Sequence, residues 1–131
     1  MRLNRSVGYG LMAVAYVALH SKDGLVMAAK VAKAYDIPLE YLLKIMQQLV
    51  RANVLSSKRG PGGGFSLARP ANEITMLEIV EAVDGPWRQN MEMAELTKNA
   101  PFAVKMEEIA EEALAKAKAR CAGVKLSKLI G

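Results

Sequence analysis

Residues 54–67 have the sequence VLSSKRGPGGGFSL, two short runs of strand character on either side of a glycine turn. Residues 54–59 predict one strand and residues 65–67 predict a returning strand. The turn between them, Gly60-Pro61-Gly62-Gly63-Gly64, can approach another backbone closely and leaves its own N–H groups exposed, because glycine has no side chain. The stretch therefore predicts a thin hairpin with Lys58 and Arg59 at its base.

Three helices are predicted before this hairpin, over residues 7–20, 28–35 and 38–53. The third has an apolar stripe on one side and polar residues on the other. The stripe consists of Leu39, Leu42, Ile45, Met46 and Leu49, and the opposite face carries Glu40, Tyr41, Lys44, Gln47, Gln48 and Arg51. From these helices alone, a helical hairpin with a solvated polar face is an equally good interpretation.

Further helices are predicted after the hairpin. Thr75 and Glu78 have capping-box spacing, which starts a helix that Asp84-Gly85-Pro86 ends. A short helix over 91–96, a long helix over 101–122 and a last turn over 125–130 follow. The predicted fold is therefore mainly α, with a single two-stranded hairpin.

Two short helices, a third with a polar outer face and a basic hairpin form the pattern of a winged helix-turn-helix domain. A helix fits the major groove of B-DNA, which is roughly 12 Å wide, and an arginine on a thin hairpin can enter an A·T-rich minor groove. The candidate DNA contacts on the third helix and the hairpin are Glu40, Tyr41, Lys44, Gln48, Lys58, Arg59, Gly60, Gly62 and Gly63. A nucleotide-binding glycine loop is the alternative, but it requires a helix after the loop, and here Phe65-Ser66-Leu67 predicts a strand.

The charge distribution agrees with nucleic-acid binding. Residues 1–70 contain ten Lys and Arg against three Asp and Glu, a net charge of +7, whereas residues 71–131 contain eight against ten, a net −2. A basic first half and a weakly acidic second half suit a nucleic-acid-binding domain followed by a segment with another role. A solvated basic surface would give the same net charge. The apolar run over residues 7–19 is too short for a membrane span and has no cleavage site after it, so we expect a cytoplasmic protein.

These features resemble the Rrf2 family of bacterial regulators, strongly over residues 1–86 and loosely beyond. The matching residues are Met1-Arg2-Leu3, Tyr41-Leu42, the run from Leu55 to Phe65, Leu67-Ala68-Arg69-Pro70, Glu73-Ile74-Thr75, Ile79 and Ala82-Val83-Asp84-Gly85. The resemblance implies a homodimeric transcription factor, often a repressor. Residues 1–86 would form the winged helix-turn-helix domain, and residues 87–131 a linker loop and the dimerisation helix of the same compact unit.

The resemblance also implies roles for single residues. Tyr41 matches a recognition-helix position, Arg59 the wing arginine of the minor groove, and Arg2 and Arg5 a basic end that approaches backbone phosphate. Pro38 stands where the family often has Ser, and Leu43 and Lys44 occupy variable recognition positions. The DNA sequence that this chain recognises therefore cannot be inferred from its relatives.

Many family members hold an iron–sulfur cluster on three cysteines ahead of the long helix. Residues 87–104 of this chain contain neither Cys nor His, and such clusters need thiolates or imidazoles. The sequence therefore predicts a member without a cofactor. The sole histidine, His20, ends the first helix and is expected to act as a cap or to have a satisfied partner.

The long helix carries a predicted dimer contact. Its residues Phe102, Met106, Ile109, Ala113, Ala117 and Cys121 recur at spacings of 4, 3, 4, 4 and 4. Cys121, the single cysteine, excludes an intrachain disulfide, and it is either an apolar contact or an intersubunit thiol switch.

Two other classes of function are considered. A protein co-regulator could dock on an apolar patch of Trp87, Met91, Met93 and Leu96, which would make the chain a protein-interaction module; alternatively, these residues fill the space of a cluster. An enzyme is not expected, because the sequence shows no acid–base pair, nucleophile constellation or metal set.

Overall fold

The structure is a computed structural model that describes residues 2–131, so Met1 of the family-like motif lies outside the described residues. Seven α-helices and one antiparallel pair of strands follow in the described part of the chain. They are α1 Arg5–Leu19, α2 Ala28–Tyr35, α3 Leu39–Arg51, β1 Leu55–Lys58, β2 Gly64–Leu67, α4 Met76–Asp84, α5 Met93–Leu96, α6 Pro101–Ala122 and α7 Leu126–Ile130. The mainly helical fold with a single hairpin is as predicted. Among residues 2–131, none of the helices is both long and apolar enough to cross a membrane.

Helix α1 begins at Arg5, two residues before the predicted start. The side chain of Asn4 accepts a hydrogen bond from the Val7 N–H at 3.1 Å and so caps the first turn. At the other end His20 caps the helix: its ring Nδ1 lies 2.8 Å from the Tyr16 carbonyl oxygen, and its ring stacks on Tyr16.

The core lies between α1, α3 and α4. Leu42, Ile45, Met46 and Leu49 of α3 are buried in it as predicted. Leu39 is the exception, and its place in the stripe was predicted wrongly: it is 41% exposed. Ile37, just before α3, is buried instead and fills that end of the core.

The hairpin is anchored to the helical body. Leu55 pairs with Leu67 and Lys58 with Gly64, the register of a short antiparallel ladder. Val26, which precedes α2, exchanges two backbone hydrogen bonds with Phe65, of 2.9 and 2.7 Å. Phe65 itself is buried, so the hairpin is tied to the start of α2 at its base.

The C-terminal half packs on the same body. Trp87 forms a second buried cluster with Val7 and Val80, and the α6 residues Leu114, Ala117 and Cys121 lie against it. The backbone N–H of Leu126 donates to Ile74 at 2.8 Å, and that of Met76 donates to Val124 at 2.9 Å. These contacts fix α6 and α7 to the start of α4.

Candidate nucleic-acid interface

The tip of the hairpin requires glycine at two adjacent positions. A Cβ on Gly63 would lie 2.2 Å from the Lys58 carbonyl oxygen, and one on Gly64 would lie 2.8 Å from that of Val26. Gly63 also donates its N–H to Gly60 at 2.9 Å, which closes the turn. The turn is therefore folded tightly against the base of the hairpin, where Lys58 and Arg59 are exposed.

Two open grooves flank the outer face of α3. The helix groove, of about 610 Å³, lies between α1, α3 and α4, and its lining residues are Ser6, Tyr41, Leu43, Lys44, Ile45, Gln47, Gln48, Arg51 and Val83. The wing groove, of about 330 Å³, lies between α3 and the hairpin, and its lining residues are Met27, Ala28, Ala29, Leu39, Leu43, Gln47, Ser57, Lys58, Arg59, Gly60, Gly63, Gly64 and Phe65. Among the described residues that line them there are four Lys or Arg and no Asp or Glu. Both grooves therefore suit a polyanion.

Six of the predicted DNA contacts line these grooves besides Tyr41. Lys44 and Gln48 line the helix groove, and Lys58, Arg59, Gly60 and Gly63 line the wing groove. Gly62 is exposed at the tip, and Glu40 is exposed on α3 but lines neither groove.

Tyr41 is held against α1. Its hydroxyl is hydrogen-bonded to that of Ser6, and its ring meets the edge of Tyr9 at 5.7 Å between centroids. The hydroxyl is thus engaged within the chain, while the ring remains exposed beside the helix groove. Tyr41 therefore fixes the N-terminal end of α3 on α1.

The basic N-terminal end lies next to α4. Arg5 is exposed in the first turn of α1. Arg2 donates its backbone N–H to the Asp84 carboxylate at 2.8 Å, and its guanidinium Nε lies 3.5 Å from the same carboxylate. Asp84 therefore anchors the chain in front of α1 while the Arg2 side chain stays largely exposed.

The structure adds three residues that the sequence did not predict as contacts, and it places beside them Leu43, which was a recognition position by family resemblance only. Leu43, Gln47, Arg51 and Ser6 all line the helix groove. The sequence does carry a signal for Gln47 and Arg51 as contacts, because both belong to the polar face of α3. Leu43 carried no polar signal, and Ser6 reaches the groove through the packing of α1 on α3, which the sequence pattern does not show.

Arg69 joins α3, the hairpin and α4. Its guanidinium donates to the carbonyl oxygens of Asn53 at 3.1 Å and Glu73 at 3.0 Å, and to the carboxylate of Glu78. Glu78 lies in the first turn of α4, whose N-cap Thr75 accepts from the Glu78 N–H at 3.1 Å. The Arg69 guanidinium therefore helps to hold the hairpin in place relative to α3 and α4.

The predicted dimer contact divides into two faces of α6. Phe102, Met106 and Ile109 are 58%, 53% and 60% exposed, and Ala113 continues their row. Ala117 and Cys121 instead lie half-buried against the Trp87 cluster of their own chain. We call the first four residues the α6 strip; it is the part of the predicted contact that is open to a partner.

The predicted apolar docking patch is also divided. Trp87 is 1% exposed and belongs to the core, whereas Met91 and Leu96 are exposed on the segment before α6. Without Trp87 the patch lacks its largest side chain.

Helices α1, α2 and α3 together with the basic hairpin define a winged helix-turn-helix domain, a class of DNA-binding domain. The chain belongs to the Rrf2 family: the family described as "Iron-dependent Transcriptional regulator" matches residues 3–131. Since these are transcriptional regulators, the prediction that the chain is not an enzyme is confirmed.

Sequence relatives match about two thirds of the chain. The transcriptional regulator IscR of Cereibacter sphaeroides is 44% identical over 86 residues, which are 64% of this chain and 56% of that protein. IscR of Photorhabdus laumondii is 40% identical over 84 residues, 64% of this chain and 51% of that protein. The chain thus spans little more than half the length of these relatives.

Solved structures share the whole fold. The global cysteine regulator CymR of B. subtilis superposes with a TM-score of 0.78 at 21% identity, covering 99% of this chain and 96% of that one. IscR of T. potens superposes with a TM-score of 0.74 at 21% identity, covering 99% and 86%. The winged-helix fold with a long C-terminal helix is confirmed.

The family description names iron, but the residues after α4 do not include the ligands of an iron–sulfur cluster. Residues 88–100 contain no Cys or His, and within residues 2–131 no group of three or more His, Cys, Asp and Glu is placed to hold a metal ion. Glu107, a carboxylate of α6, accepts hydrogen bonds from the Ala94 N–H and from Gln89 Nε2, the latter at 3.1 Å. It is committed to holding the segment on α6.

Proposed function

We propose that this protein is a sequence-specific DNA-binding transcriptional regulator that acts as a homodimer and without an iron–sulfur cluster. The observation that carries the proposal is the pair of acid-free, basic grooves on either side of α3. A recognition helix between them suits the major groove, and Arg59 on the hairpin suits the minor groove beside it. The place of action is then the cytoplasm, where bacterial DNA lies.

The α6 strip supports the homodimer. Three large apolar side chains in one row are more than half exposed, and burial of such a row against a second copy removes apolar surface from water. Two recognition helices about 34 Å apart would then contact a two-fold-related site. We propose repression as the mode of action, since a bound dimer occupies promoter DNA that polymerase needs.

Replacing Arg59 with Ala is expected to weaken binding to the cognate duplex by roughly 1–3 kcal/mol, because it removes the minor-groove contact. The measurement is fluorescence anisotropy on a labelled duplex at several salt concentrations. Arg120→Ala is the control: it removes an exposed arginine of α6 that lines neither groove. If the Arg59 variant binds as tightly as the parent, the assignment of the hairpin is wrong.

A further inference from the structure

Three apolar side chains are exposed beside the basic hairpin. Met27 at the N-cap of α2 is 58% exposed, and Leu39 and Leu43 of α3 are 41% and 36% exposed. All three line the wing groove, so they form one continuous surface, which we call the apolar strip. An isolated exposed leucine needs no explanation, whereas a contiguous apolar surface indicates an interaction site.

The surroundings of the apolar strip indicate its occupant. Lys58 and Arg59 border the strip, and no Asp or Glu lines the wing groove within residues 2–131. An apolar floor with a cationic border suits a ligand that carries both phosphates and exposed methyl groups. Double-stranded DNA carries both, with phosphates along its backbones and thymine methyl groups in its major groove. The strip also continues onto the outer face of α3 through Leu43 and Gln47, so double-stranded DNA is the occupant that fits it.

Leu43 occupies the central position. With Gln47, one helical turn further on, it lines both the helix groove and the wing groove, so the two residues form the ridge of α3 between the grooves. The ridge of a recognition helix is the part that faces base edges. Thymine is the base that presents a methyl group in the major groove, and glutamine forms its paired hydrogen bonds with adenine there.

We propose that Leu43 recognises the 5-methyl group of a thymine in each half-site, and that Gln47 contacts an adenine next to it. This inference rests on the proposed DNA-binding function and adds the chemistry of the recognised base. Specificity at this position then comes from apolar contact, in addition to hydrogen bonding.

The test removes single methyl groups from the DNA. Duplexes selected from a random pool are resynthesised with deoxyuridine in place of one thymine at a time, which leaves base pairing unchanged. The parent protein is expected to lose about 3–10-fold in affinity at one or two positions of each half-site, the effect of one buried methyl group. Leu43→Ala is expected to bind the thymine and deoxyuridine duplexes equally well.

Leu19→Ala is the matched control, because Leu19 is also an exposed leucine near a helix end, in α1, and lines neither groove. It should discriminate between the duplexes as the parent does. If no substituted position affects the parent, the methyl contact is wrong; if Leu43→Ala still discriminates, another residue makes the contact. A parent that binds no duplex at all would instead contradict the proposed function, and this inference would fall with it.

Discussion

The double variant Met106→Glu, Ile109→Glu is expected to be monomeric at micromolar concentration and to bind the cognate duplex at least about 100-fold more weakly than the parent. The two carboxylates would lie in the middle of the α6 strip, where dimerisation would bury them without partners. Once the dimer is lost, each recognition helix binds its half-site alone, and the added affinity of two linked half-site contacts disappears. Sedimentation equilibrium and anisotropy on the same samples measure the two effects.

Lys98→Gln, Lys128→Gln is the control for this variant. It makes the same change of two units in net charge at exposed positions away from the α6 strip. This control should remain dimeric and lose affinity only modestly, through the weaker overall attraction to DNA. A glutamate variant that still dimerises would show that the dimer forms through another surface.

Replacing Trp87 with Ala is expected to lower the free energy of unfolding by about 3–5 kcal/mol. Trp87 is the largest fully buried side chain, and it joins α1 and α4 to α6 through Val7, Val80 and Leu114. Because small domains are stable by only about 5–15 kcal/mol, the variant would be partly unfolded near its working temperature. Urea unfolding followed by far-ultraviolet circular dichroism measures the loss.

Trp87→Phe separates packing from polarity at the same position. The indole Nε1–H is buried and has no hydrogen-bond partner among residues 2–131. Phenylalanine removes this unsatisfied donor and keeps most of the apolar volume, so the expected cost is about 1–2 kcal/mol. If Trp87→Ala lowers the free energy of unfolding by no more than Trp87→Phe does, Trp87 does not join the winged helix-turn-helix domain to α6.

The hairpin and its neighbours could be predicted from the sequence because their glycines leave little choice. At Gly63 and Gly64 any side chain would collide with backbone oxygens, so the pattern specifies one tight turn. The helix boundaries were harder. Asn4 is a good N-cap, but the apolar periodicity begins three residues later, at Val7, so the predicted start of α1 was two residues late.

The long helix shows why the predicted dimer contact was only partly open to a partner. Periodicity predicts a single apolar row from Phe102 to Cys121, but it does not say which part of that row the chain's own core covers. The end of the row, Ala117 and Cys121, packs against Trp87, a tertiary contact that depends on where the loop after α4 runs.

Leu39 and Leu43 are apolar residues of α3 whose exposure the sequence pattern does not predict. An apolar residue on a predicted helix is normally assigned to the core, and Leu39 was predicted to lie there. Leu43 was a recognition position by family resemblance only. The structure leaves both exposed beside the hairpin because Ile37 and Leu42 already fill the core at this end. Their exposure depends on how α3 packs against the other elements, which the sequence pattern does not show.

Selection of duplexes from a random pool by the purified chain tests the dimeric DNA-binding function as a whole. We expect an enriched site with two-fold-related halves whose centres lie about 10 base pairs, or a multiple of that, apart. Two chains should bind each duplex, with an affinity that falls steeply as salt increases. A pool without an enriched sequence, or a single asymmetric site bound by one chain, would contradict it.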